Sequence, residues 1–434
     1  MERVSATLST TPMAGSAPAA GADRSRWYVG GAMVLVGLYG LVAFGLGSRT
    51  DGGAEATFNL NLLGNEAIEV PDVTVPAGPT AIVLALVCVA VGVLRLARPP
   101  AGRARALSTA AYLVAFVAAF LVWATAGHSL NFTSVLNATV LAATPLILGA
   151  LCGVLCERSG VINVAIEGQF LVGACAASFF ASVSGSLWVG LVAGCLAGGL
   201  LGAMLAVFAN RYLVQQVVLG VVLNLFAAGL TGFLYERLLQ PNAADYNQTM
   251  AFSAIRIPLL SELPIVGPVL FSQNAVFYLT AVLIAIIQIG LFRTRWGLRT
   301  RAVGEHPTAA DTVGIRVVAV RYRNVILGGL IAGLGGVWLT IGLNIAFNKN
   351  MAAGQGFIAL AALIFGRWSP LGAVSAALLF GFAGGISVSL QPLETPVPTA
   401  FLSMTPYLAT IFAVAGLVGH VRAPAADGIP YTKG

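Results

Sequence analysis

The sequence predicts an all-α polytopic membrane protein of about ten to twelve transmembrane helices, some of them interrupted. Three observations carry that prediction. Of the 434 residues, 58% are hydrophobic and only 9% charged, where a soluble domain has about a quarter charged. Apolar runs near 20 residues recur along the chain, the length of a helix that spans a bilayer core. Runs such as AIVLALVCVAVGVL do not alternate in polarity, which excludes the roughly ten-residue alternating strands of a membrane barrel.

Residues 1–26 are rich in Ala, Ser, Thr and Pro without an apolar period and read as a disordered cytoplasmic tail. The first run, Trp27–Gly47, exceeds the about 7–15-residue core of a cleaved signal peptide and reads as a retained span. Residues 48–79 set Arg49 against Asp51, Glu55, Glu66, Glu69 and Asp72, a net-negative loop expected outside the cell. The second span, 80–98, runs into Arg95, Arg98, Arg103 and Arg105, and that arginine excess places this end in the cytoplasm. A third span covers 107–127, so residues 27–130 read as three additional transmembrane segments before a core at 131–420.

Within the core the apolar runs are 135–156, 161–184, 187–210, 214–236, 272–292, 323–347, 355–366, 370–390 and 398–419. Alternating them from a cytoplasmic N-terminus places Arg211 inside and the Pro-rich loop 240–271 outside. The connector 293–322 and the tail 421–434, with Arg422, then lie inside. Residues 293–323 hold seven arginines against Glu305 and Asp311, the strongest positive-inside signal in the chain. The expected topology has both termini in the cytoplasm.

The formal charge of +7 follows from this topology and is no nucleic-acid signature, because the basic residues sit in short loops between apolar runs. Cys88, Cys152, Cys156, Cys175 and Cys195 fall within or at the ends of apolar runs and read as small packing residues rather than metal ligands. His128, His306 and His420 are scattered and read as interface residues. Trp27, Trp123, Trp188 and Trp368 lie near span ends, where aromatic belts form; Trp368 is alternatively placed to stack a substrate base.

Two stretches carry the function. In GVINVAIEGQFLVG, Gly160–Gly173, Asn163, Glu167 and Gln169 interrupt an apolar run. A carboxylate at the centre of a lipid-exposed helix costs about 3 kcal/mol, so Glu167 must face protein, water or a charge. Arg158 is the basic residue within reach, of Glu167 or of Glu157, if the backbone folds back. Gly160 and Gly168 permit a broken helix, whose freed backbone groups need polar surroundings. IEGQFLVGACAA has a counterpart in AGQGFIALAALI, each placing a Gly-Gln turn before a short apolar helix. Interrupted helices in two halves of a chain point to a transport path near the midplane. Asn163, Glu167, Gln169, Asn224, Asn344, Gln355 and Phe357 are the candidate path residues. Interhelical bonding accounts for Asn224 and Asn344 equally well. The second stretch is GLRTRAVGEHPTAADTVGI, Gly297–Ile315, with a helical piece at Pro307–Val313. It has no nucleophile–base pair and no metal cluster, and reads as a docking surface.

These segments carry a resemblance. ATPLILGALCGVLCERSGVINVAIEGQ, RAVGEHPTAADTVGI and GQGFIALAALIFG together resemble the membrane subunit of bacterial ABC importers, in the branch with permeases for branched-chain amino acids, ribose-type sugars and nucleosides. ERSGVINVAIEGQF is most similar to the nucleoside, or simple-sugar, permeases, and the resemblance covers roughly 131–420. It implies a type II ABC importer permease fold in the bacterial plasma membrane. It implies that Gly304, Glu305, His306, Pro307, Ala309, Ala310, Asp311 and Gly314 form a coupling helix held in a cleft of a cytoplasmic ATPase. It also implies a second permease subunit, a different one in preference to a copy of this chain.

The sequence contains no Gly-x4-Gly-Lys-Ser/Thr phosphate loop, so no cofactor is expected here, and ATP and Mg are expected on the partner ATPase. An extracytoplasmic binding lipoprotein is expected to deliver substrate. The chain is thus expected to be a transport subunit, not an enzyme, importing nucleosides, with sugars or branched-chain amino acids as alternatives. An ion-coupled secondary transporter would need more buried titratable groups than Glu167 and Glu157. An intramembrane enzyme would need paired catalytic residues within spans, which are absent.

Overall fold

Ten helices long and apolar enough to cross a bilayer occur among the described residues, as the composition predicts. The computed structural model describes residues 20–47, 53–62, 70–98, 100, 102–393, 401, 404 and 422–433, with side chains from Trp27 onward. The predicted tail, apart from the residues after 19, and the predicted span 398–419, apart from Phe401 and Met404, lie outside the described residues, as does His420. The chain divides into two units, one running to Phe58 and over Asp72–Leu130, the other comprising Asn59–Pro71 and everything from Asn131.

The first unit holds α1 (Ala20–Gly40), α2 (Ala77–Ala97) and α3 (Arg103–Ala124). A three-stranded sheet joins them, β1 (Glu55–Asn59), β2 (Val73–Pro76) and β3 (Ser129–Asn131), in the order β2-β1-β3. Two expectations are corrected here. Helix α1 begins at Ala20, seven residues before the predicted span, because Ala-rich sequence supports helix without an apolar period. The acidic loop contains an antiparallel pair with Ala56 opposite Val75 and Phe58 opposite Val73; this period-two apolar signal is hidden among the carboxylates. Phe44 sits among Trp123, Phe116 and Phe120 at centroid distances of 5.3, 5.7 and 5.7 Å. Tyr112 donates to the Met33 carbonyl at 2.8 Å, satisfying the one polar atom of a buried ring.

The second unit begins with α4 (Phe132–Glu157), α5 (Ile166–Ser184), α6 (Leu187–Asn210) and α7 (Gln216–Leu234), the last extended by a π-turn over Tyr235–Leu239. Short pieces follow: α8 (Ala243–Tyr246), β4 (Ile255–Arg256), α9 (Val266–Leu270) and β5 (Ser272–Gln273). Next come α10 (Ala275–Arg293), α11 (Arg295–Glu305), α12 (Pro307–Thr312) and α13 (Val317–Val337), which ends in a π-turn over Trp338–Gly342. Helices α14 (Gln355–Phe365) and α15 (Pro370–Leu390) complete it. The predicted span 323–347 is displaced, because the helix starts at Val317 and helical structure ends at Gly342.

Helices α4 and α13 are the most buried spans and form the centre. Asn131 caps α4, its side-chain oxygen accepting the Ser134 N–H at 2.8 Å. Pro145 interrupts α4 and, lacking an N–H, leaves the Leu141 carbonyl free. Trp338, wholly buried, donates its indole N–H to that carbonyl at 3.1 Å. Helix α6 meets α13 through Gly194, Gly198 and Gly202 facing Gly329 and Gly333. A Cβ on Gly198 would lie 2.4 Å from Gly333 Cα. Small residues spaced by four let membrane helices approach to backbone contact, where dispersion substitutes for a missing hydrophobic drive.

Candidate functional site

The backbone leaves helical geometry after α4. Gly160 has φ +85°, and residues 161–164 run without helical hydrogen bonds until α5 starts at Ile166. Such a break in a membrane must have its freed backbone groups satisfied by protein. The Ile162 N–H donates to Gln216 Oε1 at 2.7 Å, and the Ala165 N–H to Asn163 Oδ1 at 3.0 Å. Asn224 serves twice, donating to the Val164 carbonyl at 2.9 Å and accepting the Gly168 N–H at 2.8 Å. Asn163 also donates to Gln169 Oε1 and to Cys152 Sγ, each at 3.1 Å. The amides of Asn163, Gln216 and Asn224 are thus the partners of a broken helix, whereas Gln169 accepts only from the Asn163 and Cys152 side chains and its Nε2 has no hydrogen-bond partner among the described residues. Asn163 and Gln169 are fully buried and Asn224 nearly so, facing protein in this conformation.

Glu167 has a different task. It is partly buried in the first turn of α5. Its two oxygens accept the Gly354 N–H at 2.8 Å and the Gly356 N–H at 2.7 Å. Gly354 is the N-cap of α14 and has no side chain to cap it, so Glu167 caps that helix from another span and meets the positive end of its dipole. Hydrogen bonds to a charged acceptor contribute about 1.5–3 kcal/mol each, enough together to offset the cost of a carboxylate at this depth. The approach needs glycine, since a Cβ on Gly356 would lie 2.5 Å from the Glu167 nitrogen. The two interrupted helices singled out in the sequence therefore meet end to end.

At this junction Gln355 is half-buried and Phe357 is 49% exposed; Asn344, in the turn after Gly342, is exposed with φ +58°, a left-handed conformation that Asn tolerates. Arg158 does not pair with Glu167 or Glu157, correcting that expectation. Its guanidinium donates to the Trp368 carbonyl at 2.8 Å and the Arg367 carbonyl at 3.4 Å, in the turn after α14. Burial lowers the Arg158 pKa, while Glu305 opposes that shift and Arg301 adds to it. Trp368 is 7% exposed and donates its indole N–H to Glu157 at 2.5 Å, so its ring is held in the protein and is not free to stack a base.

The predicted docking stretch folds as α11 and α12 separated at His306, with Pro307 in the first turn of α12. The expected helical piece Pro307–Val313 is found as Pro307–Thr312, stopped before Gly314 at φ +82°. Val303 and Ala310 pack with Val317 and Val320 of α13. Asn324 ties α11 to α13, accepting from Trp296 Nε1 and donating to Thr300 Oγ1, both at 3.1 Å. The opposite face presents Glu305, His306, Thr308, Ala309, Thr312 and Val313, with Val313 74% exposed. Gly304 lies against the turn after α4, where a Cβ would fall 2.3 Å from the Arg158 carbonyl oxygen. Gln216, Asn324 and Trp338 escaped the sequence reading. For Trp338, Pro145 was the available signal.

A core of helices long and apolar enough to cross a membrane, with two broken helices joined at one carboxylate and a short connector helix beside the turn between them, has the build of a membrane transport protein. A model of the family described as "Branched-chain amino acid transport system / permease component" matches residues 134–418. The chain belongs to this family of ABC transporter permeases, and is accordingly a multi-pass transport subunit rather than an enzyme. It is 42% identical over 311 residues to the guanosine ABC transporter permease protein NupQ of Bacillus subtilis (strain 168), covering 69% of this chain and 97% of that one. It is 38% identical over 300 residues to the nucleoside ABC transporter permease protein NupC of Lactococcus lactis subsp. cremoris, covering 67% and 94%. Against the putative glucose ABC transporter permease protein TsgC13 of Haloferax volcanii the identity is 34% over 259 residues, covering 60% and 78%. No solved structure matches the chain.

Proposed function

We propose that this chain is the permease subunit of a nucleoside importer in the bacterial plasma membrane, with both termini in the cytoplasm. The observation that carries the reading is the continuous protein between Gly304 and Glu167. The connector abuts the Arg158 carbonyl, the same turn leads to α5, and Glu167 holds the start of α14. A push on the connector therefore reaches both interrupted helices through packed backbone. The substrate class is supported by the two nucleoside-named relatives, whose lengths are nearly fully covered.

In this reading an ATPase subunit, carrying ATP and Mg, grips the connector through Glu305, His306, Pro307, Ala309, Asp311 and Gly314; of the expected set, Gly304 and Ala310 are buried within this chain and instead seat the connector from behind. A second permease, of a different kind, completes the pore, and a binding lipoprotein delivers substrate from outside. The path runs past the junction. Phe357 offers an aromatic face to a base, while Gln355, Asn344 and Glu167 offer polar atoms to base edges and ribose hydroxyls. Asn163, Gln169 and Asn224 form the wall that holds the break open. Site affinity is expected to be weak, because tight binding would stall release. A simple sugar is the second reading, supported by the glucose-named relative.

The test is uptake by the reconstituted transporter of labelled guanosine, glucose and leucine under equal conditions. The proposal expects saturable guanosine uptake blocked by unlabelled nucleosides. Uptake of glucose alone would move the assignment to the sugar reading.

A further inference from the structure

The C-terminal segment plays no part in the reading above, yet it is built into the underside of the second unit. Pro424 and Ala426 are buried. The Ala426 N–H donates to the Gly304 carbonyl at 2.8 Å and the Ala425 N–H to Glu305 Oε2 at 3.2 Å. Arg321, on α13, donates to the Ile429 carbonyl at 2.9 Å. The Ala426 carbonyl lies against Gly160, and Gly428, at φ +72°, turns the chain against Ile162. Tyr431 packs on the cluster of Val303, Ala310, Val317 and Val320. One short segment thus touches the connector, the turn after α4 and the start of α13.

Beneath it lies a charged site. The Asp427 carboxyl lies beside that of Glu157, which also accepts the Trp368 indole N–H. Arg321 is 1% exposed, and its Nε and one terminal nitrogen, like Asp427 Oδ1, have no hydrogen-bond partner in the protein. Two neighbouring carboxylates removed from water repel when both are ionised, which favours a proton on the pair. With that proton the pair carries one negative charge beside the Arg321 cation. Without it, a second buried charge is uncompensated.

We propose that residues 424–431 form a strap that seats the connector helices on the α4–α5 turn, and that seating takes up one proton at Asp427. The proposal rests on the permease reading for what the connector does, and makes Asp427 a positioning residue for coupling. The charged and titratable groups facing the strap are Glu157 and Arg158 at the end of α4, Arg321 on α13, Glu305 on α11 and Asp311 on α12. Tyr431 lies on the strap itself, near Asp311. Burial raises the Asp427 pKa to about 7, with Glu157, the Gly428 N–H and Arg321 pulling the other way. A released strap returns this carboxyl to about 3.9. The raised value belongs to the seated state, so seating is strongest at low pH. It weakens as pH rises from about 4 to about 7, the seated state holding the extra proton throughout that window.

The test uses A426C in the full chain in inside-out membrane vesicles, with labelling by a hydrophilic maleimide read at that site by mass spectrometry. Rates are normalised to denatured protein at the same pH. Between pH 6 and pH 8 the normalised rate is expected to rise about tenfold, and to stay low and flat when D427N is added. A flat rate in A426C alone, or a D427N chain that follows it, overturns the proton link. The second arm removes residues 424–434 and measures ATP hydrolysed per nucleoside moved in the assembled transporter. A rise of threefold or more is expected, and an unchanged ratio overturns the strap. If the shortened chain fails to insert, the labelling pair decides alone. Labelling requires no substrate, so the strap and the nucleoside assignment fail separately.

Discussion

The carboxylate of Glu167 accepts the backbone N–H of Gly356 at 2.7 Å, joining the first turns of two interrupted helices through residues 189 positions apart in the chain. One side chain thus answers for a charge deep in an apolar chain and for the uncapped start of α14.

Replacing Glu167 by Ala leaves two N–H groups of α14 without a protein acceptor, at about 1–3 kcal/mol each. Transport should fall at least tenfold and the melting temperature should drop. Glu167→Gln keeps an acceptor and is expected to lie between. Equal transport by all three chains, measured at equal membrane levels, would show that the junction is dispensable.

Gly356→Ala places a methyl 2.5 Å from the Glu167 nitrogen. Backbone cannot yield as a flexible side chain can, so the expected cost is about 1–3 kcal/mol, seen as a lower melting temperature with lost transport. A chain of wild-type stability and uptake would contradict the close approach.

Trp338→Phe removes the donor that takes up the Leu141 carbonyl freed by Pro145. The ring volume is largely kept, so the loss should be near that of one buried unsatisfied acceptor, about 1–3 kcal/mol. Thermal unfolding in detergent measures it. Combining Trp338→Phe with Pro145→Ala should recover part of the loss, because the helix then satisfies its own carbonyl.

Val313→Asp puts a charge on the exposed apolar tip beyond α12, while touching none of the buried cluster around Ala310. Membrane insertion and thermal stability should be unchanged, and co-purification of the ATPase should fall at least tenfold. Retained co-purification would move the docking face elsewhere. Changing Glu305 and Asp311 together is expected to reduce transport with insertion intact.

Fold class was legible because apolar runs separated by arginine loops are dictated by the bilayer, whatever the partners of each side chain. The broken helix was legible for the same reason. Asn163, Glu167 and Gln169 are too costly to place in lipid without a task, and the structure shows Asn163 and Glu167 occupied and Gln169 bonded through its carbonyl oxygen alone. What each one touches was not legible. The Arg158 guanidinium finds carbonyls 209 and 210 positions away rather than a carboxylate nearby, since contact over such separations is set by packing and not by local pattern. Trp338 was silent because a tryptophan in an apolar run disturbs no pattern. The strands at Glu55–Asn59 and Val73–Pro76 were masked by acidic residues on a short alternation. Asp427 lay in a tail too short and polar to suggest burial.

The most direct measurement is labelled guanosine uptake in cells that express this permease with its partner subunits, under two separate treatments. Collapsing the proton gradient while ATP is held constant should leave the initial rate intact, and depleting ATP while the gradient is held should abolish it. Uptake that stops with the gradient and survives loss of ATP would contradict the account.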